Sequence, residues 1–406
     1  MTDIELLCSK AEADCAPAFE RILKVYRANT EKVMDAFAEC KVSENLFAGT
    51  AGYGYDDRGR DTLDLLYAKV MGTEDALVRH HFMNGSHAIA TALYALLRPG
   101  DLLLAATGDP YDTLMPVILG DNCGSLKELG VGYSMIPLEG EDHPGRVEKA
   151  VRELSPAAVL IQRSRGYASR PALSPDYIND LCDRIHSIKP GCRVIVDNCY
   201  GEFTQTVEPY RADLICGSLI KNPGGGLAPN GGYVAGRKEC VELAAYRLGV
   251  PGSGREVGSN PFGYRLYYQG LFAAPQAVSE ALKTSVFAAR VLELAGFEPS
   301  PDYDAECYDI IRAINFGSPE PMLAFIRGIQ SGAPVDSFVT PEPWDMPGYD
   351  DPVVMAAGAF VQGASIELSA DGPMRPPYTA FLQGGLTYES GRLGIIRALK
   401  EILKDR

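Results

Sequence analysis

The sequence predicts an α/β protein: a mostly parallel sheet with helices on both faces, followed by a smaller α+β unit. Three observations lead there. Short apolar runs alternate with amphipathic stretches from residue 76 to residue 249, the pattern of strands joined by crossover helices. The polar residues Gly85, Tyr111, Gln162, Asp197 and Lys221 each fall just after one of those runs, and ligands of open α/β sheets bind at the carboxyl ends of strands. From Gly296 the composition shifts, and residues 299–350 are crowded with Pro, Asp, Tyr and Gly. The expected division is a helical arm over 1–45, a large domain over 46–285 and a small domain over 286–406.

Phe19, Ile22, Leu23, Tyr26, Val33, Met34 and Phe37 recur at helical spacing and predict a helix over 16–38. The stretch 45–61, N-L-F-A-G-T-A-G-Y-G-Y-D-D-R-G-R-D, has no period and reads as a loop. Its Tyr53, Tyr55, Arg58 and Arg60 are suited to reach an anion. A helix over 62–71 follows, then a strand over 76–83, the turn N-G-S-H at 84–87, and a helix over 88–97. A helix start after such a turn exposes unpaired N–H groups. Gly85, Ser86 and His87 are therefore candidate phosphate ligands.

A strand over 102–106 leads into T-G-D-P-Y-D-T, where Tyr111 can stack on a bound ring or serve as a capping or core tyrosine. Strands over 132–136 and 157–161 flank a helix over 146–154. Ser174-Pro175 starts a helix to 189, with Ser as cap and Pro in the first turn. The strand over 193–196 ends at Asp197, the strand over 214–217 leads to Ser218 and Lys221, and 232–235 is the seventh. Beyond it come a helix over 241–249 and a Gly-rich loop over 250–262, read as a mobile segment near the site or a subunit interface. A helix over 274–294 follows. In the small domain, strands are expected over 338–340, 360–361 and 365–368, a rigid turn at D-G-P-M-R-P-P-Y (371–378), and a closing helix over 392–404.

The 406 residues carry a net charge of −15 and are 46% hydrophobic and 22% charged. That balance fits a globular protein and argues against binding nucleic acid. No run of 18 apolar residues suggests a membrane span. The acidic start M-T-D-I-E-L-L-C lacks a secretion signal, and none of the ten cysteines forms a C-x-x-C pair. Reduced thiols in a cytoplasmic protein are expected. Adjacent His80 and His81 lack the spacing of metal ligands, so no metal is expected.

One strand end delivers a carboxylate, Asp197, and the next a lysine, Lys221, inside C-G-S-L-I-K-N-P-G-G-G. That is the arrangement a pyridoxal 5'-phosphate enzyme needs. The lysine holds the cofactor as a Schiff base, and the carboxylate keeps the pyridine nitrogen protonated.

With G-Y-G-Y-D-D-R-G-R-D, N-G-S-H, V-I-V-D-N-C-Y-G-E-F, G-S-L-I-K-N-P-G-G-G and Q-G-G-L-T-Y in hand, the chain resembles the fold-type I pyridoxal phosphate enzymes of cysteine and methionine metabolism. Within them it is similar to the methionine γ-lyase-like or aluminium-resistance branch, related to cystathionine β-lyase. The resemblance implies a seven-stranded, mostly parallel sheet and a role for each matching residue. Lys221 would bind the cofactor, Asp197 its pyridine nitrogen, and Gly85, Ser86 and Ser218 its phosphate, with Tyr111 stacked on the ring. Tyr55 and Arg58 would reach the phosphate of a neighbouring subunit, which implies a homodimer, commonly doubled to a homotetramer. Arg375 would bind the substrate carboxylate, with Arg392 and Arg165 next in line.

Two departures stand out: Ile220 precedes the lysine where the lyases keep a hydroxyl residue, and the Tyr-x-Arg motif is stretched to Tyr55-Asp-Asp-Arg58. The expected reaction is elimination at a sulfur amino acid, with Lys221 as base, its pKa lowered by desolvation. Transamination, aldol cleavage and a non-catalytic stress protein are the other readings. A nicotinamide dehydrogenase is disfavoured because G-x-G-x-x-G is missing.

Overall fold

In the computed structural model, which describes residues 3–346 and 351–404, the run Arg193–Asp197 lies at the middle of a seven-stranded sheet. The strands are β1 (Asp75–Arg79), β2 (Leu102–Ala105), β3 (Gly132–Met135), β4 (Ala158–Gln162), β5 (Arg193–Asp197), β6 (Leu214–Ser218) and β7 (Gly232–Gly236), in the order β1-β7-β6-β5-β4-β2-β3. β7 runs antiparallel to both neighbours, and the other strands share one direction. The strands inside the sheet read as apolar runs because both faces are covered, whereas β3, G-Y-S-M, lies exposed at the edge. Val194 and Val196 pack on one face with Leu181 and Tyr268, while Ile195 packs on the other with Ala92 and Val241.

The helices are α1 (Asp3–Glu39), α2 (Arg58–Met71), α3 (Gly85–Leu96), α4 (Met115–Leu119), α5 (His143–Leu154), α6 (Pro175–Ile188), α7 (Lys238–Leu248), α8 (Arg265–Leu294), α9 (Pro319–Gly332) and α10 (Tyr388–Ile402). Ser174 caps α6 as expected, its side chain accepting from the Tyr177 N–H at 3.1 Å. Seven helices begin earlier than their apolar period suggests, α1, α2 and α8 most informatively. α1 and α8 continue through Pro17 and Pro275, because buried faces on two cores outweigh one lost backbone bond. α2 starts at Arg58, where the Asp57 carboxylate accepts from the Arg60 N–H at 3.0 Å. Arg58 and Arg60 therefore belong to a helix rather than a loop.

The loop over 250–262 is not loose. The Gly258 N–H donates to the Tyr53 carbonyl at 2.9 Å, and the Thr50 N–H to the Asn260 carbonyl at 3.1 Å. Arg255 is tied to Asp75 at 2.8 Å. The two Gly-rich loops thus brace each other and carry Tyr53 and Tyr55 outward, stacked at 5.5 Å.

The small domain departs most from the expected elements. Its sheet is fully antiparallel, ordered β10-β11-β12-β9-β8 from β8 (Glu298–Ser300), β9 (Ile311–Asn315), β10 (Val353–Ala356), β11 (Ser369–Pro373) and β12 (Thr379–Gln383). Residues 338–340 are an exposed loop, with Phe338 86% accessible. Residues 360–361 and 365–368 form bends tied down by Glu367, whose carboxylate accepts from the Phe360 and Val361 N–H groups. The first three residues of the expected turn at 371–378 belong to buried β11. Its sequence, S-A-D-G-P, has no β-branched residue to announce it. The last four residues of the Pro-rich stretch 299–350 lie outside the described residues.

Candidate active site

Gln162, Asp197 and Ser218 close adjacent strands β4, β5 and β6, so the sheet itself lines up three polar groups on its carboxyl edge. Asp197 is buried, and its carboxylate accepts from the Cys199 N–H at 3.1 Å. Burial pushes its pKa up from 3.8 to about 6, against the opposing pull of Cys199, Lys221 and Arg170. Such a carboxylate is short of positive charge, and a cation placed against it would restore its ionised form.

Lys221 follows β6 at the start of a short 3₁₀ turn, Asn222–Gly224. Its Nζ donates to the Tyr200 hydroxyl at 2.9 Å and to Ser365 Oγ at 2.8 Å. Ser365 lies on the stretch between β10 and β11, so a segment joining two strands of the second sheet reaches the lysine at the edge of the first. Burial pulls the amine pKa down, but Tyr200, Cys199 and Asp371 outweigh it and the net direction is upward. The expected lowering by desolvation is thus reversed here, because polar partners accompany the burial.

Gly85 and Ser86 open α3, which Asn84 caps by accepting from the His87 N–H at 2.9 Å. The Gly85 and Ser86 N–H groups have no intrahelical acceptor by helix geometry. His87 differs: its N–H is taken by Asn84, and its Nδ1 accepts from the Met83 N–H at 3.1 Å. Both atoms are committed to the helix start rather than to an anion. A Cβ on Gly85 would lie 3.1 Å from both Cys199 Sγ and Ser218 Cβ, so only glycine leaves this corner open. Ser218 Oγ is buried with no partner among the described residues. An orphaned buried hydroxyl is costly unless a ligand completes it.

The Tyr111 hydroxyl lies 2.8 Å from Ser86 Oγ, and its N–H donates to Gln162 Oε1 at 3.1 Å. Burial holds the phenol well above its ordinary pKa, and the Asp197 charge adds to this. Tyr111 is therefore a neutral ring standing between the helix start and Asp197. Together these groups suit a flat ligand with an anionic end at Gly85, Ser86 and Ser218, a cationic end at Asp197, and a carbonyl for Lys221. The two ends and the carbonyl are those of pyridoxal phosphate, and the residues fit it.

The remaining candidates lie elsewhere. Tyr55 and Arg58 are exposed on the rim loop and on the start of α2. Arg60 is buried as a loop brace, donating to Asp61 at 2.8 Å and to the Gly54 carbonyl at 2.8 Å. Arg392 pairs with Glu12 of α1 at 2.6 Å, outside the site. Arg165 and Arg375 line one cleft of about 440 Å³ with Tyr167, Ser300, Thr379 and Phe381. Arg375 is half-exposed and bonded to Asp351 at 2.9 Å. Arg165 is buried, donates to Ser300, and leaves its Nε unpartnered.

Several residues carried no expectation. Tyr200 touches Lys221, and Asp371 faces it electrostatically while accepting from Gln383 Nε2 at 2.7 Å and from Tyr167. Burial raises the Asp371 carboxyl from 3.8 to about 6. Tyr200 lies inside a quoted motif, but Ser365 and Asp371 arrive from far along the chain with no local signal.

The comparisons bear on the family and the fold. The family model described as methionine gamma-lyase matches residues 4–403. The uncharacterized protein YnbB of Bacillus subtilis (strain 168) is 45% identical, with 100% of this chain and 99% of that protein covered. The carbon-sulfur lyase involved in aluminum resistance from Clostridium novyi NT superposes with a TM-score of 0.94 at 48% identity, covering 98% of this chain and 96% of that one. The pyridoxal-5'-phosphate dependent protein YhfS of Escherichia coli shares the fold alone, with a TM-score of 0.65 at 16% identity over 95% of this chain and 97% of that one. A model match from one end of the chain to the other, over a sheet of the topology foreseen from its motifs, means that this chain belongs to the methionine gamma-lyase family.

Proposed function

We propose that the protein is a pyridoxal phosphate-dependent carbon–sulfur lyase, splitting a sulfur amino acid by α,β- or α,γ-elimination, with one water consumed, into thiol, keto acid and ammonia. One observation carries the reading: a half-buried lysine amine and a buried carboxylate flank a glycine corner in which the Ser218 hydroxyl has no partner among the described residues. Bound there, the cofactor supplies an electron sink for the carbanion formed at Cα.

The chain's own residues do the rest. Gly85, Ser86 and Ser218 hold the phosphate, and Tyr111 covers the ring. Asp197 keeps its charge against the ring nitrogen and so stabilises the negative charge that develops at Cα. Lys221 Nζ would hold the cofactor at rest and would serve as the base for the Cα proton. Arg375 takes the substrate carboxylate in the cleft it shares with Arg165. The Tyr167–Phe381 pair on that cleft's wall, 5.0 Å apart, backs onto Tyr200 beside Lys221. Tyr55 and Arg58, exposed on one chain, reach the phosphate site of a second copy. The working unit is a homodimer, doubled to a homotetramer.

The test is a visible spectrum of purified protein before and after L-cysteine, L-cystathionine or L-methionine, with thiol and keto acid measured in parallel. A colourless protein, or amino-group transfer without thiol release, overturns the reading. Ser218→Ala should weaken cofactor binding about 10- to 100-fold, the range of one hydrogen bond to a charged group. It should leave the Tm of the cofactor-free protein unchanged or higher, since the lost hydroxyl was unpaired. Equal affinity in a cofactor titration would remove Ser218 from the phosphate site.

A further inference from the structure

Residue 200 occupies a position where a side chain is a handicap. The Gly201 N–H donates to the Asn198 carbonyl at 3.0 Å, closing a four-residue turn directly after β5. Tyr200 is the third residue of that turn and has φ of 70°. Glycine and asparagine adopt this left-handed region readily, and a tyrosine does so only under constraint. The constraint is visible on its side chain. The hydroxyl lies 2.9 Å from Lys221 Nζ, and the ring centroid lies 4.4 Å from the same atom. The ring packs against Ile311, Ala313 and Phe381 of the small domain. Strained backbone that aims one side chain at a reactive atom is a pattern of functional sites rather than of turns.

We infer that Tyr200 is a positioning residue for Lys221, fixing Nζ at the sheet edge through its hydroxyl and ring. The inference deepens the proposed function and rests on Lys221 being the reactive amine. The titratable groups facing that amine are Tyr200 itself, Cys199 and Asp197 from the end of β5, and Asp371 from β11. Asp197 and Asp371 are untouched by a change at residue 200. Cys199, held well above its ordinary pKa by burial, is likewise untouched. The hydroxyl is therefore the contribution that a Phe variant isolates.

The experiment labels Lys221 in cofactor-free protein with trinitrobenzenesulfonate over a pH series, read at the Lys221 peptide by mass spectrometry. Tyr200→Phe should move the labelling midpoint down by about half a pH unit or more, because an acceptor for the ammonium is gone. In the loaded enzyme, with L-cystathionine, kcat should fall about tenfold or more while KM changes less than about threefold. Tyr200→Asn relaxes the turn but gives up the ring's packing on Ile311, Ala313 and Phe381, so its Tm should fall, while the labelling midpoint should shift the same way as in Tyr200→Phe. An unchanged midpoint in either variant makes Tyr200 a packing residue of the domain junction and overturns the inference. The labelling needs no cofactor, so a colourless parent protein would sink the lyase reading alone.

Discussion

Lys221→Ala should leave a folded protein that is colourless and inactive. The amine is a single group with no substitute: the described cationic neighbours, Arg170 and Arg165, are guanidiniums bonded to carbonyls of Gln162, Ser164 and Ser300. Neither can give up a proton near neutral pH. Loss of the base alone is expected to lower kcat by about 10⁴-fold, the upper end for general base catalysis. Loss of the covalent attachment takes the visible absorbance with it. Removing the side chain leaves Tyr200 and Ser365 bonded to each other, since they already lie 3.4 Å apart. The domain junction should therefore survive, and the near-ultraviolet circular dichroism should match the parent. Thiol release at the parental rate would show that some other residue is the base.

Asp197→Ala should weaken cofactor binding by about 10²- to 10³-fold. Breaking a buried charge pair by removing one partner costs about 3–5 kcal/mol, and each 1.4 kcal/mol is about tenfold in affinity. The cofactor-free protein should behave in the opposite sense. Burial raises the Asp197 carboxyl from 3.8 to about 6, so the folded state holds a proton that the unfolded chain releases. A group with a raised folded pKa loses stability as pH rises. Without cofactor the cost grows from about pH 4 to about pH 6 and persists above it. The isosteric Asp197→Asn removes that titration, so the cofactor-free variant should have the higher Tm at pH 7. Calorimetry of the two proteins across that window, beside a cofactor titration, checks both signs. Equal cofactor affinity in Asp197→Ala would detach this carboxylate from the ring nitrogen.

How much of this was legible in the chain depends on the kind of interaction. The strands of the large domain were, because a strand covered on both faces must be apolar throughout, and V-I-V or L-I-C says so without help from neighbours. Asp197, Ser218 and Lys221 were legible for a related reason: the end of a buried strand is where a polar residue stands out. Helix starts were less so. Pro17 and Pro275 look like boundaries, but the buried faces of α1 and α8 carry both helices past them. β11 escaped notice because its S-A-D-G-P is shaped by the cores around it rather than by its own propensity.

Local order in the chain was enough to determine the sheet and to place a carboxylate and a lysine at one edge of it, since each depends on residues within one strand and the turn after it. Only the tertiary structure decided how that lysine is held. Tyr200 acts from a left-handed turn, and Ser365 and Asp371 come from a second domain. Burial and charged partners, and with them the directions of the pKa shifts at Asp197, Tyr111 and Lys221, are set by neighbours in space and not along the chain.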